Sequence, residues 1–187
     1  MRIFPVTLVA LALGGCAVSI PPVEVTRFHL GTAIPAGTVR VETTPTLEGA
    51  TYAAAVGQAL ARIGYADAVG TAEPLYTAKT SFTRLTREEA KKSPFSIGIG
   101  GGSFGGNVGV GLGASIPIGG KTRQIIVTRL SVQLIRKADA TMVWEGKAET
   151  SAPSTAPAAQ SGLAAEKLAS ALFKDFPGTS GQTVVVP

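Results

Sequence analysis

Between Ile126 and Thr150 the chain spells out a hairpin that constrains the rest of the fold. Ile126, Leu130, Val132 and Leu134 fall on one side of a strand whose other side carries Arg129, Ser131 and Gln133. That is the period of two expected of a strand with one covered face. The segment "KADAT" supplies a turn, and Met142 to Thr150 returns with Met142, Trp144 and Ala148 inward. Trp144, the only tryptophan, reads as a core anchor. A sheet that is apolar on one face needs a second layer to cover it.

Two helical stretches can supply that layer. In "TYAAAVGQALARIGY" the residues Tyr52, Val56, Ala59, Leu60 and Ile63 form one apolar stripe at helical spacing. Gly64 follows at the left-handed position that ends helices, with Tyr65 placed to fold back on the last turn. Later, Leu163, Leu168, Leu172 and Phe176 among alanines mark a second helix, capped at Ser161 and stopped by Pro177-Gly178. Further strands are read at Thr26–Leu30, at Thr38–Glu42 and over 75–85, where Tyr76, Ala78 and Phe82 oppose Thr77, Lys79, Ser81 and Thr83. Strands joined by hairpins and interrupted by two distant helices predict an α+β fold: one antiparallel sheet with both helices on one face.

Residues 93–120 add a glycine-rich insertion. Phe95, Ile97 and Ile99 alternate with small residues on one limb, and Val108, Val110, Leu112, Ile116 and Ile118 do so on the other. The expectation is a projecting hairpin whose faces differ in bulk rather than polarity. Three uses are compatible with it: a projection laid partly on the domain, a surface for strand addition or self-association, and insertion into a bilayer after assembly. Gly100 to Gly105 match G-x-G-x-x-G in form, but no helix follows to offer amides to a phosphate, and no acidic residue stands about twenty positions on.

The N-terminus gives an address. Arg2 is followed by an apolar stretch from Ile3 to Leu13, which at about 1.5 Å per residue is roughly half the length needed to cross a membrane as a helix. Leu13-Gly14-Gly15-Cys16 then resembles the bacterial lipobox. There a signal peptidase cuts before a cysteine whose thiol has taken up a diacylglycerol, chemistry that needs a nucleophilic sulfur. Cys16 is the only cysteine, and lipidation accounts for an unpaired thiol in an exported chain. The expected organisation is a signal peptide over 1–15, a lipidated tether over 16–25, and a single α+β domain over 26–187. Ala17, rather than Asp, after the cysteine resembles the sorting rule for the outer membrane.

Composition narrows the function. The chain is 45% hydrophobic and 16% charged with a net charge of +5, enough apolar material for one packed core. Export removes nucleic acid as a partner for that excess of cations; no lysine or arginine run exceeds a pair, so the excess reads first as scattered over the surface, with anionic lipid headgroups, lipopolysaccharide or an acidic partner as the alternatives. Catalytic constellations are thin. His29 is the only histidine, so no two-histidine metal site can form, and Glu88-Glu89 sit beside Lys91-Lys92 in a run read as a polar loop.

Taken together, the lipobox, "PVEVTRFH", "YAAAVGQALARIGY", the glycine tract, "RLSVQLIRKADATMVWEGKA" and "LASALFKDFPG" resemble the bacterial lipoproteins that carry the domain of unknown function 4136. The resemblance is strongest at Val143-Trp144-Glu145-Gly146 and Phe176-Pro177-Gly178. It implies an envelope lipoprotein with an α+β domain and no assigned activity, and it brings no catalytic residues. The expectation is therefore a non-catalytic lipoprotein anchored in the outer membrane through Cys16. It needs no cofactor or metal, and its partner is an envelope protein or a second copy met through the glycine-rich hairpin. The alternative is a subunit of an oligomeric export or transport assembly in the outer membrane.

Overall fold

The computed structural model describes residues 21–68, 70, 73–90, 96–97, 116–117 and 122–187. In chain order these form β1 (Val23–His29), β2 (Thr38–Glu42), α1 (Leu47–Arg62), β3 (Ala66–Asp67), β4 (Tyr76–Ala90), β5 (Ser96–Ile97), β6 (Ile116–Pro117), β7 (Thr122–Arg136), β8 (Thr141–Pro153), α2 (Ser161–Phe173) and β9 (Thr183–Val186). Seven strands make one sheet in the order β3-β2-β4-β7-β8-β1-β9. Both helices cover the face bearing Ala78, Leu130, Val132, Leu134, Trp144 and Ala148, all of them buried. The opposite face carries the Arg129–Glu149 and Lys147–Glu145 ion pairs together with exposed apolar side chains such as Phe28 and Leu85.

The α+β class stands, but the sheet is mixed rather than antiparallel. β2 runs parallel to both β3 and β4. The cause is α1, whose 16 residues carry the chain back over the sheet, so that the next strand starts from the same end as β2. Alternation of apolar and polar residues is identical in parallel and antiparallel neighbours and cannot reveal this.

α1 starts earlier than its apolar stripe. Thr46 caps it, accepting from the Gly49 amide at 2.9 Å, and a side chain at Gly49 would collide with the Thr44 carbonyl. At the other end Gly64 has φ +94. Its amide donates to Ala61 O and the Tyr65 amide to Leu60 O, both at 3.1 Å. Those two bonds are the paired closure of a Schellman motif, as the Gly64-Tyr65 pair predicts.

Other expectations shift. β1 begins at Val23, so Val23–Val25, read as tether, are sheet residues, with Val23 and Val25 fully buried. β4 runs on to Ala90 and pairs Glu88 with Gln124 and Glu89 with Arg123, so the two acids lie on a strand and not in a loop. In β8 the register slips, with Leu134 facing Trp144 but Ile135 facing Met142. Val143 is the extra residue of this bulge. It turns Met142 outward, to 43% exposure, and leaves Val143 and Trp144 both buried. Ser161 does not cap α2; the capping position is Gln160, without a side-chain bond. Leu163 is 49% exposed, because it lies five residues from Leu168, off the i, i+4 stripe. Of the glycine-rich hairpin over 93–120, only Ser96–Ile97 and Ile116–Pro117 fall among the described residues, paired antiparallel; the remainder lies outside them.

Tyr52 stacks on Phe82 with ring centroids 4.3 Å apart and planes within 8°, and burial pushes its hydroxyl up to about 12. That hydroxyl has no hydrogen-bond partner among the described residues. Removing an unsatisfied buried hydroxyl while keeping the ring relieves a desolvation cost of about 1 kcal/mol or more. Tyr52→Phe is accordingly expected to melt at the parent temperature or a few degrees higher by circular dichroism.

Candidate functional site

Two places gather unusual side chains: the C-terminal end of α2 where it meets β1 and β8, and a groove beside α2. At the first, Arg27 projects from β1 to the covered side of the sheet and is only 5% exposed. Its Nε donates to Leu172 O at 2.9 Å, and its Nη2 donates to Ala171 O at 2.8 Å and to Lys174 O at 3.0 Å. Ala171 and Leu172 belong to the last turn of α2 and Lys174 is its C-cap, where carbonyls lack further helical amides to meet them. The guanidinium thus acts as a side-chain cap at the negative end of the helix dipole. Burial draws its pKa down from the usual arginine value, and the charge of Asp175 opposes the shift.

Two glycines make the space here, Gly146 for Trp144 and Leu172, and Gly178 for Arg27. The neighbour of Arg27 on β8 is Gly146, where a Cβ would come within 2.4 Å of the Trp144 ring and 2.8 Å of Leu172. Gly178, at φ +80, would place a Cβ 2.7 Å from Arg27 Cδ. Trp144 Nε1 donates to Pro177 O at 3.0 Å. Its ring lies 5.2 Å from Phe173 and 5.3 Å from Phe176, and Phe176 continues through Tyr65 to Tyr76. The two most distinctive sequence motifs, Trp144-Glu145-Gly146 and Phe176-Pro177-Gly178, are therefore halves of one packing unit. The Phe176–Pro177 peptide within it is cis.

His29, the sole histidine, belongs to the edge of the same unit. Its Nδ1 accepts from the Gly31 amide and its Nε2 lies 3.1 Å from Gly178 O, so the hydrogen sits on Nε2 and holds the Phe176-Pro177-Gly178 turn. At the opposite end of α2, Arg84 donates to Glu48 Oε1 at 2.8 Å and also to Ser161 Oγ and Ala159 O. Ser161 in turn donates to Glu48. The Ser161 hydroxyl, and then Arg84, hold the Glu48 carboxyl below the usual range. Two arginines from different strands thus bracket α2.

The groove, about 720 Å³, opens between the end of α1, the flank of α2 and the residues at Pro21 and Val186. Apolar lining comes from Ala59, Ile63, Leu163, Ala171, Phe173 and Val186, and the charged lining side chains are Arg62, Glu166, Lys167 and Lys174. Lys167 Nζ donates to Pro21 O, and Thr150 Oγ1 donates to Pro22 O at 3.0 Å, so the start of the described chain is pinned along the groove. Cys16, the expected lipidation residue, lies outside the described residues. Among the described residues no three His, Cys, Asp or Glu side chains cluster as metal ligands would, and no helix is long and apolar enough to cross a membrane.

No sequence motif announces the groove, because its wall comes from α1, α2 and both ends of the described chain. One signal was available: Leu163, Lys167, Ser170 and Lys174 recur at i, i+4, i+7, i+11 and so form a second face of α2.

Among known proteins, the uncharacterized protein ZMO1243 of Zymomonas mobilis subsp. mobilis is 29% identical over 209 residues, covering 87% of this chain and 79% of that one. Among solved structures, a PDZ domain protein from Parabacteroides distasonis superposes with a TM-score of 0.50 at 9% identity, over 88% of this chain and 39% of that chain. The PelC dodecamer from Paraburkholderia phytofirmans gives 0.44 at 13% identity, over 80% and 93%. The family model for the domain of unknown function DUF4136 matches residues 37–178. That span contains both halves of the tryptophan and Phe-Pro-Gly unit, and the chain belongs to the DUF4136 family.

Proposed function

We propose that this protein is a lipid-anchored envelope lipoprotein of the outer membrane whose domain binds or scaffolds rather than catalyses. The observation that carries the reading is Leu13-Gly14-Gly15-Cys16 directly after an apolar run. The geometry of the domain supports it. β1 starts seven residues after Cys16, a span of at most about 25 Å when fully extended, so an anchor there would hold the sheet close to the bilayer surface. The conspicuous polar side chains on the helix-covered face, Arg27, Arg84 and Ser161, are all engaged in holding α2.

The test is Cys16→Ser. Without a thiol to acylate, the precursor is expected to accumulate uncleaved or misprocessed and to leave the outer-membrane fraction on density-gradient separation. A serine variant still cut after Gly15 and still sedimenting with that membrane would refute the anchor.

A further inference from the structure

We infer that the groove beside α2 is a binding site for the anion of a single-chain fatty acid, its tail along the apolar wall and its carboxylate among Arg62, Lys167 and Lys174. The proposal stands apart from lipidation, since every residue it uses lies in the folded domain.

The volume, about 720 Å³, falls in the usual range for small-molecule sites. The wall is apolar where a tail would lie: Ile63 from the end of α1, Leu163, Ala171 and Phe173 from α2, and Val186 from β9. Leu163 adds a large apolar side chain at the rim, half exposed and so within reach of a tail lying along the wall.

The charges favour one sign. Among the lining side chains, cations outnumber Glu166 three to one, and neither Arg62 nor Lys174 takes part in an ion pair among the described residues. Lys167 is partly desolvated, which lowers its pKa, so a nearby carboxylate would restore stabilisation to its ammonium. A tail with a neutral head would satisfy the wall but not the rim. A highly charged ligand without a tail would leave the wall in water. The amphiphilic anion matches both.

The protein carries its own reporter. Trp144 is the only tryptophan and stacks at 5.2 Å on Phe173, a residue bordering the groove. The experiment is a titration of the full chain carrying Cys16→Ser with cis-parinaric acid, a fatty acid whose polyene accepts energy from an excited indole. Expected is saturable transfer from Trp144, with the methyl ester binding about tenfold more weakly. The double variant Arg62→Glu/Lys174→Glu should weaken the acid by a similar factor, and Ser170→Phe, at an exposed position on the groove wall, should abolish transfer while circular dichroism stays unchanged. Absence of saturable transfer, the result if the chain's own residues 16–20 fill the groove, overturns the proposal. So does equal binding of acid and ester, or transfer that survives Ser170→Phe.

Discussion

Trp144→Ala is expected to be the most damaging single substitution in the domain. It should remove most of the cooperative urea transition, leaving a protein that unfolds early and accumulates poorly. The indole is 1% exposed, and truncating a buried aromatic of this size costs about 3 to 5 kcal/mol. Its Nε1 bond to Pro177 O is lost as well, which unfastens the turn after α2. Because Gly146 exists to admit the ring, the cavity is walled by backbone and cannot readily collapse. Total stability of a domain this size is typically about 5 to 15 kcal/mol, so the loss is a large share of it. Trp144→Phe, which restores part of the volume without the donor, should recover part of the midpoint. An alanine variant as stable as the parent would place the ring outside the core.

Arg27→Met should come second, at about 2 to 4 kcal/mol, the cost of leaving several buried acceptors unsatisfied. Methionine keeps much of the length but leaves three carbonyls of the α2 terminus without their donor in a buried setting. Each such bond to a charged group contributes about 1.5 to 3 kcal/mol, and the three are not additive. Arg27→Lys should recover little. One ammonium cannot reproduce the fork that reaches Leu172, Ala171 and Lys174 from two nitrogens. The distinguishing measurement is hydrogen exchange, in which protection should fall first in the last turn of α2 and the following Lys174–Gly178 turn. Uniform loss across the sheet would argue against a capping role.

What could be read from the sequence was what a local period writes down. The β7–β8 hairpin, the α1 stripe and its Gly64 closure, and Trp144 as a core residue all follow from spacing, and each is found in the structure. What escaped is set by partners far along the chain. The parallel pairing of β2 with β4 depends on where α1 delivers the chain. The bulge at Val143 changes the face of Met142 without changing the residue pattern. β9, four residues reading Thr-Val-Val-Val, is too short to show a period. Arg27 is the instructive miss: once β1 is started at Val23, the alternation Val23, Val25, Arg27 puts an arginine on an apolar face. An arginine in that place calls for a buried set of acceptors, which the terminus of α2 provides. The groove was invisible for the same reason, being a property of packing rather than of any stretch.

The position of β1 has a kinetic consequence. Although first in sequence, it sits inside the sheet, with Val23 opposite Thr150 on one side and Val186 on the other. Its neighbours lie more than a hundred residues further along the chain, so a folding chain carries this strand with two bare edges until those distant segments reach it. Closing so long a loop is slow, whereas β7 and β8 can zip through a tight turn. The hairpin is expected to form first and wait, and β1 to dock last, bringing Arg27 to α2 only as the domain locks. Until then Val23 and Val25 are open to pairing with another unfolded chain, and the period of greatest risk of aggregation ends when β1 is closed in between β8 and β9.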